Sequence, residues 1–361
     1  MKAIIVTTQF VNNYGAVLQA YGFHVFLKEH GWEHVFYDQV SKSNRVFESI
    51  LPLEKNSLYR IYKNFCKIPF AAQLHRRNAR FLQFVNHNFP LTPKYKDQQA
   101  FLQEANLYDL YITGGDQLWN RSCLARPVNL LRFGDFSKPR ISYSTSLGSA
   151  VYTPEEKAKL YAYLQEYAEI SVREKEACEL LNSELNVNVR QNIDGCFLVD
   201  RDTWKNVEVF NRKMPDKFIL VYELLDHPDL NKAIRAMRER YSLPVVLIAQ
   251  GLNPSTDCDI KVLDAGPAEF LGLFSHAKAV VTTSFHGTCF CVINEKPFVS
   301  LIGENETRIN AVLDMFGLQQ CYARSFKQLP GSPIDFRSAR EKILQSRIQA
   351  YQYLEKYFEK K

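Results

Sequence analysis

The sequence predicts an α/β protein whose strands form parallel sheets in two domains. Short runs of β-branched and apolar residues alternate with stretches whose apolar residues recur at helical spacing. Glycines and polar residues follow several of these runs, as they do in loops at the carboxyl edge of a parallel sheet. At 361 residues the chain is too long for one ordinary core and fits two domains of common size.

The first domain is predicted at residues 1–205. A strand at "AIIVTT" leads through the turn "QFVNNYG" into a helix over "AVLQAYGFHVFLKEHG", which closes at Gly31, and "EHVFYDQ" is the next strand. Further strands are predicted in "YDLYITGG", "RISYSTSLG" and "ISVRE", and the helix "TPEEKAKLYAYLQEYAEI" has acids in its first turn. This alternation is typical of a Rossmann-like domain.

A basic segment at about residues 41–100 interrupts the alternation. It contains eleven Lys or Arg and three Asp or Glu, a net charge of +8, whereas the whole chain has +6. The pattern predicts a helical insertion, rich in aromatic residues and broken at Pro69. Its charges are either solvated, which we favour, or lie against an anionic membrane surface through residues 55–89. No nucleic-acid-binding module accompanies the charge, so we expect no nucleic-acid partner.

The second domain is predicted at residues 206–335, with the boundary in the polar stretch "DRDTWKNVEVFNRKMPDK". Its strands are "FILVYELL", "PVVLIAQ", "IKVLDAG", "AVVTTS" and "PFVSLI", separated by helices such as "AEFLGLFSHA". A charged C-terminal helix is predicted over 336–361. Two Rossmann-like domains that face each other across a cleft form a GT-B-like architecture.

Several classes of protein are disfavoured by composition. No run of about 18 apolar residues is present, and "MKAIIVTTQF" is typical of a first strand and not of a signal peptide, so we expect a cytoplasmic protein. The eight cysteines form no CxxC motif, which favours reduced thiols. No His, Asp and Glu residues have metal-ligand spacing and no P-loop occurs, so we expect no metal and no cofactor.

The stretch "TTSFHGTCF" is the first candidate for function. Here a strand ends in small polar residues before a helix, an arrangement that aims backbone N–H groups at an anion. Ser284, Gly287 and Thr288 are therefore candidate anion-binding residues, and His286 can exchange a proton near neutral pH. The alternative is a histidine packed in the core.

Two other loops have the same position relative to a strand. In "QFVNNYG", Asn13, Tyr14 and Gly15 would place a helix N-terminus at the sheet edge, or form an ordinary asparagine turn; the motif is not GxGxxG. In "ITGGDQLWN", Asp116 could accept a hydroxyl proton, while Trp119 could stack on a sugar ring beside Gln117. A tight turn with a helix-capping aspartate is the alternative.

Three basic residues could add positive charge to the cleft. Arg173 ends the strand of "SVRE", where it could bind a carboxylate or phosphate through two parallel hydrogen bonds, or pair with a nearby glutamate on the surface. Lys296 and Arg308 follow the histidine motif.

Taken in order, these motifs resemble the polysaccharide pyruvyl transferase family. The resemblance covers roughly residues 1–40 and 105–320 and is strongest over 264–318. It rests on "NNYGAVLQAYG", "ITGGDQLWN", "ISYSTSLG", "SVREKEACELL", "AGPAEFLGLFSHAKAVVTTSFHGTCFCVINEKPFVSL" and "TRINAVLDMFGL".

The resemblance implies a transferase that moves the pyruvyl group of phosphoenolpyruvate onto a sugar diol as a cyclic ketal, with release of phosphate, in surface polysaccharide biosynthesis. It implies a GT-B-like fold, with His286 as the family's histidine and Arg173 as its strand-end arginine. We assign His286 either as the acid or as the group that assists the departure of phosphate, and Asp116 as the base. Phosphoenolpyruvate is then a co-substrate, and the acceptor is a glycan or a lipid-linked sugar.

One position departs from the family. Many members have an arginine two residues before the histidine, where this chain has Ser284, so Lys296 or Arg308 would have to bind the donor. The departure leaves two alternatives: a glycosyltransferase that uses a nucleotide sugar, and a catalytically silent sugar-phosphate-binding protein. Release of phosphate or of nucleoside diphosphate separates the two enzymes.

Overall fold

The computed structural model describes residues 1–38, 68–121, 126–148, 152–211, 213–249, 251, 255–303, 308–331 and 333–359. The fold is α/β, as the sequence predicts. Its strands, all parallel to their neighbours, are β1 (Lys2–Val6), β2 (Glu33–Phe36), β3 (Leu110–Gly114), β4 (Arg140–Tyr143), β5 (Ile170–Val172), β6 (Val189–Gln191), β7 (Ile219–Glu223), β8 (Val245–Ala249), β9 (Ile260–Val262), β10 (Ala279–Thr282), β11 (Phe298–Leu301) and β12 (Tyr322–Ala323).

Helices connect the strands, as parallel pairing requires. They are α1 (Tyr14–Glu29), α2 (Ala71–Asn88), α3 (Gln98–Ala105), α4 (Pro154–Leu164), α5 (Lys175–Glu184), α6 (Arg201–Lys205), α7 (Leu230–Tyr241), α8 (Pro267–His276), α9 (Phe285–Ile293), α10 (Arg308–Phe316) and α11 (Arg337–Phe358). Short 3₁₀ turns include Gly195–Phe197, directly after β6.

The strands form three sheets: a four-stranded sheet and the pair β5-β6 in the first predicted domain, and a six-stranded sheet in the second. In the first, the order is β2-β1-β3-β4, and single bridges from Ile141 to Glu169 and from Thr145 to Val172 continue it to the pair β5-β6. In the second, the order is β12-β11-β10-β7-β8-β9, which is the Rossmann order. Both orders reverse direction beside their first strand, and ligands bind outside the carboxyl ends of strands at such points.

The chain passes from the sheets of the first domain to the sheet of the second between Gln191 and Ile219. The predicted domain boundary, 205/206, falls inside this interval and stays a prediction. It also lies directly after α6, a short helix within the stretch that the sequence presents as irregular.

Helix α2, the described part of the basic insertion, joins the two domains. Phe81 packs 5.0 Å from the ring of Tyr14. On the same helix Arg76 and Arg80 bond to Asp264, which precedes α8 in the second domain. These arginines therefore hold an acidic loop of the protein. Residues 39–67, including the first part of the predicted membrane-facing segment, lie outside the described residues. Within the part described, no helix has the length and apolar character that crossing a bilayer demands.

Helix α11 returns the chain to the first domain. The hydroxyl of Tyr353 donates to the carbonyl of Ser142 (2.8 Å), and Arg347 donates to the carbonyl of Phe197 (2.6 Å). The ring of Phe358 stacks on Trp32, with centroids 4.9 Å apart. The two domains are thus tied together by α2 and α11 as well as by the connection between the sheets.

A histidine pair in the first-domain core gives a prediction on acid stability. His24 Nδ1 lies 2.8 Å from His34 Nε2, and both residues are more than nine-tenths buried. Burial lowers the pKa of His24 to about 3 and also lowers that of His34. Because histidines of the unfolded chain titrate near 6.5, the unfolded state binds more protons below that pH, and stability falls as the pH falls.

We expect the free energy of unfolding to fall by about 1 kcal/mol per pH unit below 6.5 for each histidine of the pair that stays neutral. Urea denaturation at pH 7 and pH 5.5 measures this slope. The variant His24→Leu should show a shallower dependence, whereas His75→Leu, which changes an exposed histidine, should keep the wild-type slope. Parallel pH dependences for wild type and His24→Leu would contradict the expectation.

Candidate active site

Charged side chains from both domains converge where the carboxyl ends of the sheets of the two domains meet. We call this group the interdomain cluster; its members follow β3, β5, β6, β10 and β11 and are Asp116, Arg173, Glu174, Asp194, His286 and Arg308. Every member except Asp116 and Arg308 is less than a tenth exposed. The cluster therefore contains three carboxylates, two guanidiniums and one imidazole.

Arg173 is the centre of the cluster. Its Nη1 donates to Asp194 (2.6 Å), its Nη2 to Asp116 (2.9 Å) and its Nε to Glu174 (3.2 Å). The guanidinium also lies over the ring of Phe285, 4.3 Å from its centroid. The burial of Arg173 acts to lower its pKa, but the three carboxylates outweigh this and raise it well above the usual range. Arg173 therefore carries a fixed positive charge at every working pH.

Asp194 and Asp116 are both ionised at neutral pH. Burial raises the pKa of each, but interactions with neighbouring groups outweigh burial, so the pKa of each is lowered. For Asp194 these are His286 and Arg173, together with the N–H of Cys196. For Asp116 they are Arg173, His286 and Arg308, whose Nη1 lies 3.5 Å from its carboxylate.

His286 is packed between the two domains. It lies in the first turn of α9, and its ring is pressed against Gly15 in the first turn of α1. A Cβ on Gly15 would lie only 2.0 Å from His286 Nδ1, so the histidine requires a glycine there. On the other side, Nε2 lies 3.5 Å from Asp194 Oδ2, the separation of an ion pair and longer than an ordinary hydrogen bond. Buried Nε2 has no hydrogen-bond partner among the described residues.

The residues beside His286 build the strand-to-helix turn. Ser284 is the N-cap of α9, and its hydroxyl accepts from the N–H of Gly287 (3.3 Å). Gly287 has no room for a side chain, because a Cβ would lie 2.3 Å from the hydroxyl of Thr282. Thr288 bonds to Ser284 and to Ser300. Their observed contacts are therefore with the protein, and donor binding by them stays a prediction.

In the loop after β1, Asn13 caps α1 by accepting from the N–H of Ala16 (3.2 Å). Tyr14 differs from the expectation. It is buried, its hydroxyl donates to the carbonyl of Ala265 (2.9 Å), and its ring stacks on Phe270. Tyr14 thus joins the domains, and its hydroxyl has a protein partner.

The structure corrects the expectation for Trp119. Its indole is fully buried in the first-domain core, with Nε1 directed at the carbonyl of Asn129 and Tyr167 packed edge-on. The face that was expected to stack on a sugar is covered by protein. Gln117, two residues earlier, is partly exposed and has a left-handed backbone conformation (φ 50°), which turns the chain after Asp116.

Lys296 and Arg308 separate in space. Lys296 precedes β11, so it lies at the amino edge of the sheet, opposite His286, and its Nζ donates to the carbonyl of Ser275. Burial, with Arg201 and Lys278 nearby, lowers its pKa to about 8. The expectation that Lys296 adds charge to the same cleft is therefore corrected. Arg308 begins α10 and does reach the interdomain cluster.

A small pocket with a cavity volume of about 20 Å³ lies beside the cluster, between the two domains. Arg173, Asp194 and Arg308 contribute its polar wall. Its apolar wall is formed by residues of the 3₁₀ turn, α9 and α10, which are Ile193, Phe197, Phe285, Ala311, Val312, Met315 and Phe316. His286 is not part of its wall, because Asp194 lies between the imidazole and the pocket.

One group in the cluster has the residue types of a metal site. A possible ligand atom on each of Asp194, Cys196 and His286 lies within 4.8 Å of the others. However, Arg173 donates to the same Asp194 carboxylate, and burial together with Asp194 raises the pKa of the Cys196 thiol. A cation here would compete with a guanidinium and require a thiolate, so we assign no metal to these residues.

Three residues of the site were not selected from the sequence. Glu174 was considered only as a surface partner of Arg173, whereas its carboxylate is buried. Phe285 is an apolar residue directly before the histidine, and its residue type alone does not predict that its ring lies 4.3 Å from the guanidinium of Arg173. Asp194 lies in "NIDGCF", after a short strand with little apolar character. Its position after a strand is the signal that could have found it.

The fold is shared with GT-B enzymes. UDP-GlcNAc 2-epimerase from Methanocaldococcus jannaschii aligns with a TM-score of 0.50 and 13% identity, over 96% of this chain and 91% of the epimerase. The enzyme from Neisseria meningitidis bound to UDP-GlcNAc gives 0.51 and 14%, over 99% and 93%. A putative UDP-N-acetylglucosamine 2-epimerase from Listeria monocytogenes gives 0.51 and 11%, over 99% and 88%. At these identities the likeness shows the fold alone.

Sequence comparison gives a narrower result. No curated protein matches the chain. A model of one protein family, described as polysaccharide pyruvyl transferase, matches residues 13–305, which include α1, the strand-end arginine and the histidine motif. The match spans most of the chain and includes every member of the interdomain cluster except Arg308. The chain therefore belongs to the polysaccharide pyruvyl transferase family.

Proposed function

We propose that the protein is a transferase that moves the pyruvyl group of phosphoenolpyruvate onto a sugar diol as a cyclic ketal, in surface polysaccharide biosynthesis. One observation carries the proposal beyond family membership. Arg173 of the first domain and His286 of the second meet on the same carboxylate, Asp194, beside a pocket whose polar wall contains two arginines. A group that can bind an anion, Arg173, and a group that can exchange a proton, His286, thus lie together at the seam, the interface between the two domains.

The two arginines suit the donor, which carries a carboxylate and a phosphate. Arg173 and Arg308 are paired with the protein's own carboxylates, and Asp116 lies near both. The donor's anionic groups would compete for these guanidinium N–H groups. Because His286 is only 4% exposed, substrate must enter by separating the domains at this seam.

The chemistry needs two proton transfers. His286 gives a proton to the methylene carbon of the donor, which becomes a methyl group and leaves a cationic centre at the carbon that bears the phosphate. One sugar hydroxyl adds to that carbon, the C–O bond to phosphate breaks, and the second hydroxyl closes the ketal. Of the two hydroxyl protons, one restores His286 and the other leaves with phosphate.

Asp116 is the candidate base that takes the proton of the attacking hydroxyl and passes it on to phosphate or back to His286. Beside Arg173 and Arg308 its pKa is low, so its carboxylate accepts a proton weakly. When the donor binds the arginines, Asp116 loses part of this stabilisation and becomes a stronger base. The base would therefore be activated only when the donor is present.

The experiment is phosphate release from phosphoenolpyruvate by purified protein, with a panel of nitrophenyl-linked and lipid-linked hexosides. We expect release that requires both donor and acceptor, and a loss of about 10²-fold to 10⁴-fold in His286→Ala. His75→Ala, which changes an exposed histidine, is the matched control and should retain the wild-type rate.

The outcomes separate the alternatives. No release with any acceptor, together with no binding of phosphoenolpyruvate by calorimetry, would contradict the proposal. Release of nucleoside diphosphate from a nucleotide sugar would assign glycosyl transfer to the same cleft. Binding of phosphoenolpyruvate without turnover, unchanged in His286→Ala, would identify a silent binding protein.

A further inference from the structure

We propose that Asp194 is the positioning residue of His286, and that Arg173 holds Asp194 in place, so that an Arg–Asp–His chain crosses the domain interface. This inference rests on the proposed function, because it concerns the histidine to which that function assigns proton transfer. It adds a role for an aspartate that neither the sequence motifs nor the family match assigns.

The first step is the rigidity of Arg173. Its three nitrogens each donate to a different carboxylate, and one face of the guanidinium is covered by Phe285. A planar donor held at three points and covered on a face has little freedom to rotate. Arg173 is therefore a fixed support for the groups that bond to it.

The second step is the carboxylate of Asp194, which is 3% exposed. Its Oδ1 accepts from the N–H of Cys196 (2.9 Å) and its Oδ2 accepts from Arg173 (2.6 Å). Both oxygens are thus anchored within the first domain. A carboxylate oxygen accepts more than one hydrogen bond, so Oδ2 still has a lone pair for the imidazole 3.5 Å away.

The third step is the imidazole itself. Gly15 closes the Nδ1 side of the ring, since the position of a Cβ there is only 2.0 Å from Nδ1 and 2.1 Å from Cγ. The ring cannot retreat from the cluster in that direction, and Nε2 is the atom that approaches Asp194. An anionic acceptor beside Nε2 favours the tautomer that carries its proton there.

The Arg–Asp–His chain also makes the orientation of the His286 imidazole depend on contact between the two domains. Arg173 and Asp194 belong to the first domain and His286 to the second, so the three groups line up only when the seam is closed. The proton on Nε2 is then held away from water, on the side of the ring that faces the carboxylate of Asp194. Asp194 acts through His286 and is a positioning residue.

The test compares Asp194→Asn with wild type, using Asp202→Asn as the control, because Asp202 is an exposed residue of the same segment. With phosphoenolpyruvate and a working acceptor, we expect kcat to fall by about 10²-fold and KM to change by less than about threefold. The control should retain wild-type values.

A second readout does not need turnover. In protein labelled with ¹⁵N in histidine, long-range ¹H–¹⁵N spectra at pH 8 report the tautomer of each ring, and His286→Gln identifies the signal of His286. We expect the Nε2–H tautomer in wild type and a shift toward Nδ1–H in Asp194→Asn. Asp194→Glu keeps the charge that Arg173 requires for folding but displaces the carboxylate, and it should give a mixed tautomer and a reduced kcat.

The outcomes distinguish this inference from the proposed function. An unchanged His286 tautomer in both Asp194 variants, with kcat within about twofold of wild type, would overturn the role of Asp194 while leaving the transferase in place. If wild-type protein releases no phosphate, the proposed function fails, and the tautomer spectra alone then support or overturn the positioning of His286 by Asp194.

Discussion

Replacing Arg173 by methionine is expected to lower the free energy of unfolding by about 3–5 kcal/mol at pH 7, the range found when one partner of a buried ion pair is removed. Methionine fills part of the same volume but leaves Asp116, Glu174 and Asp194 without the cation they share. Asp116 keeps Arg308 at 3.5 Å and Asp194 keeps His286 at 3.5 Å, but each loses its shorter contact with a cation, and burying a charge with weaker pairing costs free energy. Urea denaturation at pH 7 measures the loss.

The loss of unfolding free energy in Arg173→Met should become smaller as the pH falls. In wild type the positive charges keep the pKa of Asp116 and Asp194 low, so both contribute stability that is lost as the pH falls through those values. In Arg173→Met each carboxylate loses one of the interactions that lower its pKa while its burial remains, so both pKa values rise relative to wild type and protons bind at a higher pH. The deficit relative to wild type should therefore shrink between pH 7 and pH 5.

Arg190→Met is the matched control for Arg173→Met. Arg190 also pairs with a buried acid, Glu169, but its own side chain is 52% exposed and Glu169 keeps Lys356 as a partner. We expect a loss below about 1 kcal/mol. Equal losses in the two variants, or a deficit for Arg173→Met that does not narrow in acid, would mean that the interdomain cluster is solvated and would contradict the geometry described above.

The fold was predictable because its central strands are buried on both faces. Such strands appear in the sequence as continuous apolar runs, and "AIIVTT", "FILVYELL" and "AVVTTS" became β1, β7 and β10. Strands β6 and β12 were not predicted, because "VRQ" and "YA" are short, lie at sheet edges and are only partly buried. Edge strands receive less of the burial that makes a strand recognisable.

The sequence predicted which positions lie near the candidate site better than it predicted where their side chains point. The strand-end rule located Asp116, Arg173 and His286, and the structure brings these three together. The same rule cannot tell whether a side chain points into the cleft or into the core. Trp119 and Tyr14 follow strands as expected, yet their rings fill the interior. The prediction for Lys296 was wrong for another reason. Lys296 lies near His286 in the sequence, but helix α9 runs between them, so Lys296 lies at the opposite end of the sheet.

Replacing Gly15 by alanine is expected to remove turnover as completely as His286→Ala and to lower the free energy of unfolding by about 1–3 kcal/mol, the usual cost of overpacking. The new methyl group would lie 2.0 Å from His286 Nδ1, 2.1 Å from its Cγ and 2.7 Å from its Cβ. Either the imidazole leaves its place beside Asp194 or the domains separate. Helix propensity alone predicts the opposite sign, because alanine stabilises a helix relative to glycine.

A double-mutant cycle shows whether the loss arises at this contact. The loss of unfolding free energy caused by Gly15→Ala should disappear in a His286→Gly background, because that change removes all three atoms of the contact. In a His286→Ala background the loss should persist in part, because the Cβ of residue 286 remains 2.7 Å away. Gly303→Ala is the control, since a Cβ there would meet no atom of the described residues within 4 Å. Full turnover and wild-type stability in Gly15→Ala would show that the histidine does not lie against the first helix. That result would also contradict the proposal that Asp194 positions His286, because the imidazole could then move away from the carboxylate.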